Sequence, residues 1–150
     1  MLSGSRTLDL PRGAAPAGIP GRAGSTRTLI RSHVLEPHLG SPRRARALLR
    51  RACLDRALGD AYDDAALVVT ELVTNAVRHT GTPCRLTVTL DDDGLRVAVR
   101  DQGVVAPALL DHRRCGAGLH LVANVAQAWG VVRHADGKTV WARFPPREVP

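Results

Sequence analysis

Aromatic residues make up 3% of the chain, with one Phe, one Tyr and two Trp, so any core has to be filled with Leu, Val and Ala. Lysine is rarer still, one against twenty arginines, a bias that by itself assigns no chemistry. The three cysteines, Cys53, Cys84 and Cys115, are odd in number, widely spaced and form no C-x-x-C pair. That pattern argues against a disulfide framework or a zinc ribbon and suits reduced thiols in a cytosol. His112, Cys115 and His120 fall close together, but no fourth ligand lies nearby and the spacing matches no standard metal site. No apolar run approaches the roughly 18 residues that cross a bilayer, and no charged-then-apolar leader opens the sequence. The expectation is a soluble, cytoplasmic protein with no membrane partner.

What is present is room for one domain. A chain of 150 residues with 44% apolar content can bury a single core. The net charge of +7 is unevenly placed. Residues 1–51 hold ten arginines against Asp9 and Glu36, whereas residues 52–150 hold eleven cations against twelve acids. A basic N-terminal third could touch nucleic acid or an acidic partner, and contact with nucleic acid would weaken steeply with salt. No nucleic-acid reading motif accompanies it, so a solvated tail and a basic first helix account for the charge better.

Residues 1–27 are rich in Gly, Ala, Pro, Ser and Arg without apolar period, which predicts a disordered basic tail. The folded domain is expected over 28–146, with a short tail at 147–150. Thr28 to Leu35 reads as a first strand. Ser41-Pro42 predicts a helix start, with Ser as N-cap and Pro at N1, and Ala45, Leu48, Leu49, Ala52 and Leu58 follow at near-helical spacing up to Gly59. Asp60 opens a second helix to about His79, with Leu67, Val68, Leu72, Val73, Ala76 and Val77 as its apolar stripe, stopped by Gly81-Thr82-Pro83. Alternation at Leu86, Val88 and Leu90, the turn Asp92-Asp93-Gly94, and alternation at Leu95, Val97 and Val99 predict a hairpin. Gln102 to Cys115 reads as a loop and Gly118 to Trp129 as a third helix. Val131–Arg133, the turn Ala135-Asp136-Gly137 and Thr139–Phe144 read as a last hairpin. The fold class that follows is α+β, a two-layer sandwich of a mixed, mostly antiparallel sheet covered on one face by helices.

Three groupings could carry chemistry. Glu71, Asn75 and His79 recur every four residues on the second helix, drifting about 40° per step at roughly 100° per residue. A carboxylate in that row can orient or deprotonate a hydroxyl, and an amide oxygen suits Mg2+; a solvent-facing polar stripe explains the same spacing. Asp101 and Gly103 follow a strand, where a carboxylate can accept a hydrogen bond from an exocyclic amine and glycine lets the backbone pass close to a ligand. An ordinary turn explains D-x-G equally well. Gly116-Ala117-Gly118 precedes a helix, whose N-terminal N–H groups and dipole favour an anion such as phosphate. Arg113 and Arg114 just upstream are candidates to add positive charge, and a flexible loop with a normal helix start is the plain alternative.

Taken together and in order, these segments resemble a known family. ELVTNAVRHT looks like the N box of the histidine-kinase-type (GHKL, Bergerat-fold) ATPases, VRDQG like the first glycine box, GAGLHLV like the second, and GKTVWARF like the closing segment. The similarity covers about Thr28 to Pro146, and ELVTNAVRH in so short a chain points to the anti-sigma-factor serine/threonine kinase branch. The resemblance implies ATP and Mg2+ as cofactors. It implies that Glu71 is the catalytic carboxylate orienting a serine hydroxyl, Asn75 the Mg2+ ligand, and His79 a supporting residue. Asp101, with Gly103 beside it, would read the adenine amine. Gly116 and Gly118 would be glycines near the phosphates, and Thr139 a hydroxyl supporting adenine recognition through water. Val105 stands where the fuller first glycine box has a second glycine, and the segment from Val104 to Arg114 is short. Both features predict weak closure over a triphosphate.

The implied function is an ATP-dependent serine kinase that regulates a sigma factor or its antagonist protein by partner switching, with ATP or ADP bound. The alternative is a catalytically weak or inactive nucleotide-binding module that acts by sequestering a protein partner. Members of the family commonly dimerise, so a homodimer is among the assemblies the resemblance allows.

Overall fold

The computed structural model describes residues 7–8, 27–54, 56, 58–103 and 117–146. In chain order these form β1 (Thr7–Leu8), β2 (Leu29–Leu35), α1 (Ser41–Cys53), α2 (Asp60–Thr80), β3 (Cys84–Asp91), β4 (Gly94–Asp101), α3 (Ala117–Val125), β5 (Ala128–His134) and β6 (Gly137–Phe144). The strands make one six-stranded sheet in the order β1-β5-β6-β4-β3-β2. Every pairing is antiparallel, so the parallel component allowed by the sequence is not realised among the described strands.

The period-2 pattern sorts the sheet into two faces. Leu86, Val88 and Leu90 of β3, Leu95, Val97 and Val99 of β4, and Val140, Ala142 and Phe144 of β6 are all buried. The register sets them side by side, Val88 against Val97 and Val97 against Ala142, in a continuous apolar floor. Helix α2 lies across β3, β4 and β6, with α1 and α3 packed beside it, and α1 also touches β2 and β3 while α3 touches β5. The opposite face carries Arg85, Thr87, Thr89 and Arg100, and Arg96 rides 5.4 Å above the Trp141 ring. This is the α+β two-layer sandwich expected, with its core between the sheet and the helices.

Local signals explain the ends of the elements. Gly81 ends α2 in the left-handed conformation (φ 59°) that closes helices readily only at glycine. The β3–β4 hairpin turns on Asp92 and Asp93, with the Asp93 N–H donating to Asp91 Oδ1 at 2.8 Å. Several boundaries differ from the sequence expectation. Ser41 lies inside α1 rather than capping it: Gly40 holds the cap position, and the Ser41 hydroxyl donates back to the Glu36 carbonyl. Helix α1 stops at Cys53, before Leu58. On α2 the buried stripe includes Ala65 and Val69, while Leu67 is exposed, because the helix meets the sheet about one position round from the expected line. Helix α3 ends at Val125, and Trp129 belongs to β5, where it pairs with Ala142. Thr7 and Leu8 fall inside the stretch expected to be disordered, yet they pair with Val132 and Val131. Composition weighs only side-chain burial, whereas the outer edge of β5 offers backbone hydrogen bonds to any residue.

Candidate functional site

The two central strands, β4 and β6, place a carboxylate and an ammonium side by side on the helix-covered face. Asp101 ends β4 directly opposite Lys138 of β6. Their side chains are 5% and 9% exposed, and Lys138 Nζ donates to Asp101 Oδ1 at 2.9 Å. The same oxygen accepts the Gly103 N–H at 2.8 Å, which folds the chain after β4 back over its own carboxylate. A buried charge persists only when paired and hydrogen-bonded, and both conditions are met here.

The neighbouring glycines show how tightly this corner is closed. A Cβ on Gly103 would lie 2.9 Å from Lys138 Nζ, 2.9 Å from Thr80 Cγ2 and 3.0 Å from Asp101 Oδ1. The last turn of α2, the end of β4 and the start of β6 therefore converge on Gly103. Gly137, at φ 154°, opens β6 where a Cβ would sit 1.9 Å from the Asp101 carbonyl oxygen, so only glycine lets the β5–β6 turn approach β4 this closely. Thr80 anchors the end of α2, its hydroxyl donating to the Ala76 carbonyl at 2.9 Å and accepting the Thr82 N–H at 3.1 Å.

Of the sequence candidates, Glu71, Asn75 and His79 lie on α2 along the margin of its buried stripe. Glu71 and Asn75 are half-buried and His79 is exposed, one residue before the Thr80 that packs at Gly103. Helix α3, which contains Gly118, packs against α2. The structure thus brings Thr80, at the end of α2, to Gly103 beside Asp101. Arg113, Arg114 and Gly116 lie outside the described residues, as do His112 and Cys115 of the imagined metal group; His120 is exposed on α3. Among the described residues, no three His, Cys, Asp or Glu side chains cluster to hold a metal ion.

One assignment is corrected. Thr139 does not face Asp101. It pairs with Arg100 and Val132, and its hydroxyl meets His134 Nε2 at 2.7 Å on the opposite face of the sheet. Strand alternation is the reason: Lys138, Val140, Ala142 and Phe144 point inward, so Thr139 must point outward. The residue beside Asp101 is Lys138, which the motif reading passed over. Its signal was available, since three apolar residues follow it at every second position and it is the sole lysine of the chain.

The charge of Asp101 is felt at Cys84. Burial, with Asp101 adding to it, pushes the Cys84 thiol up to about 11, and burial alone pushes Cys53 to about 11. Raised thiol values favour the neutral form in the folded state. The stability they contribute is present below the unfolded value of 9.0 and is lost as pH climbs through about 11. At about 1.36 kcal/mol per unit, each thiol should account for roughly 2–3 kcal/mol of that alkaline loss. Urea midpoints at pH 8 and pH 11 are expected to show the fall, with a shallower one in a Cys53→Ala/Cys84→Ala double variant. Equal falls in both proteins would refute the assignment.

Residues 36–144 match the histidine kinase-like ATPase domain family. That segment is most of the chain, and the chain belongs to this family of ATPase domains. Among solved structures it is similar to the RsbU and RsbW domains of Rv1364c from Mycobacterium tuberculosis, with a TM-score of 0.61 and 22% identity. The match covers 81% of this chain and 35% of that one, so this chain spans about a third of the length of that structure. The likeness is one of fold. No curated protein matches the chain.

Proposed function

We propose that this domain binds an adenine nucleotide and regulates a protein partner in the manner of an anti-sigma-factor serine kinase. The observation that carries the proposal is Asp101, a buried carboxylate at a strand end, fixed by the Gly103 N–H and set against the last turn of α2. Such a group can accept the exocyclic amine of adenine while excluding water from it. In this reading Asn75 supplies one neutral oxygen to Mg2+, whose other positions come from phosphate and water, a donor set that suits Mg2+ without a protein cage. Gly116, Gly118, Arg113 and Arg114 would lie by the phosphates, with His79 supporting the end of the α2 row. Glu71 orients a serine hydroxyl of the partner, a sigma factor's antagonist. When bound, ATP supplies the phosphoryl group.

A second reading, a module that sequesters its partner with little nucleotide turnover, gains support from Lys138, whose ammonium already occupies Asp101. In either reading the cytoplasm is the setting in which such a partner is met, and a homodimer is compatible with both.

Calorimetric titration with Mg-ATP tests the shared premise. Asp101→Asn keeps an acceptor for Lys138 and Gly103 but loses the charge that strengthens a bond to the adenine amine. Hydrogen bonds to charged groups contribute about 1.5–3 kcal/mol against about 0.5–1.5 kcal/mol for neutral ones, so the difference of about 1–1.5 kcal/mol should weaken binding by about 5- to 12-fold. Unchanged affinity in a folded Asp101→Asn protein would remove Asp101 from nucleobase recognition.

A further inference from the structure

We infer that Lys138 is an internal competitor for the nucleobase, holding Asp101 in a closed ion pair that a nucleotide has to open. The inference rests on the nucleotide-site reading above and concerns how that site is controlled. Asp101 Oδ1 already accepts two hydrogen bonds, at 2.8 Å from the Gly103 N–H and at 2.9 Å from Lys138 Nζ. An incoming exocyclic amine competes with the ammonium for the same carboxylate. On the Gly103 side the pair is closed, since even one added carbon there would meet both charged partners within 3.0 Å. A base that takes Asp101 Oδ1 from that side therefore enters only as the ammonium leaves.

The position of Lys138 makes that exchange feasible. It is the second residue of β6, one step from the β5–β6 turn at Ala135 and Asp136. A four-carbon stem there can swing past the turn and carry the ammonium to water, which a side chain in mid-strand could not do. The strand needs no rearrangement, because the Asp101–Lys138 register is held by the backbone. The result is a nucleotide site with lowered resting affinity, set by a single side chain. A short neutral residue at 138 would leave Asp101 open to the base.

Two measurements on the full chain decide the matter. The first is Mg-ADP titration of wild type, Lys138→Thr and Lys138→Met, each with its fold checked by circular dichroism. Threonine removes both bulk and charge, while methionine keeps the apolar stem in place should the smaller side chain fail to fold. At least tenfold tighter binding in Lys138→Thr is expected. If wild type binds and both folded variants bind equally or more weakly, Lys138 is no competitor, although the site remains a nucleotide site. If no folded form binds Mg-ADP, the nucleotide-site reading falls, and the competition with it.

The second measurement uses wild type alone. Lys138 is the only side-chain amine in the sequence, so acylation by an N-hydroxysuccinimide ester can be followed on the peptide His134–Arg143 by mass spectrometry. Labelling should be slow in the free protein and at least tenfold faster with saturating Mg-ADP, as the ammonium is released to solvent. Slower labelling with Mg-ADP would mean that the nucleotide covers Lys138 rather than expelling it, and would overturn the inference.

Discussion

Glu71→Ala is expected to lower phosphoryl transfer to a partner serine by about 10²- to 10⁴-fold, the usual contribution of a positioned acid–base group. Glu71 is half-buried on α2, one helical turn before Asn75, on the helix whose last residue, Thr80, meets Gly103. Alanine is a strong helix former, so the substitution leaves α2 intact. Asp101 and Asn75 are untouched, so Mg-ADP affinity should stay within about threefold, a change of less than about 0.7 kcal/mol. Transfer of labelled γ-phosphate to candidate partners, measured beside nucleotide affinity, separates the two effects. Transfer that survives the substitution would take Glu71 out of its assigned role, and a parallel loss of binding would make it a structural residue instead.

Asp101→Ala is expected to cost about 1–3 kcal/mol of folding stability, because the Gly103 N–H is left without its acceptor and Lys138 has to give up its buried pair and turn out to water. Lys138 is 8% exposed, and the Gly103 N–H loses its acceptor in the same step. Set against the roughly 5–15 kcal/mol that hold a typical domain together, this is a large share. Urea unfolding of the single variant and of Asp101→Ala/Lys138→Met provides the check. The double variant should recover much of the loss, since both charges go together and the methionine stem still packs. A single-variant loss under about 1 kcal/mol would mean that the bonds to Asp101 contribute little and that the pair is not closed. Asp101→Asn should be milder, as its amide oxygen still accepts both donors.

The hairpins were readable because alternation at Leu86, Val88, Leu90, Leu95, Val97 and Val99 has no helical interpretation, and all six are buried on one face. Gly81 marked the end of α2 for an equally local reason. Trp129 was misplaced because Val122, Val125, Ala126 and Trp129 recur at helical spacing; only pairing with Ala142 reveals the strand. At the site, Asp101 and Gly103 could be singled out from the junction they occupy. Thr139 is singled out by the motif alone, and it turns outward because it follows the inward-facing Lys138 on the strand. The ion pair itself was hidden, because it depends on the register between strands separated by α3 and β5. The convergence of Thr80, Gly103 and Lys138 is likewise a property of the sheet and helix together.

Asp101 and Lys138 belong to β4 and β6, each hydrogen-bonded to a neighbour on both sides. Strands in the middle of a sheet are commonly among the last parts of a domain to open. The backbone of β4 and β6 under the pair is therefore held on both sides, so exchange of Lys138 for another group at Asp101 is expected to proceed by rotation of the lysine side chain rather than by opening of these two strands.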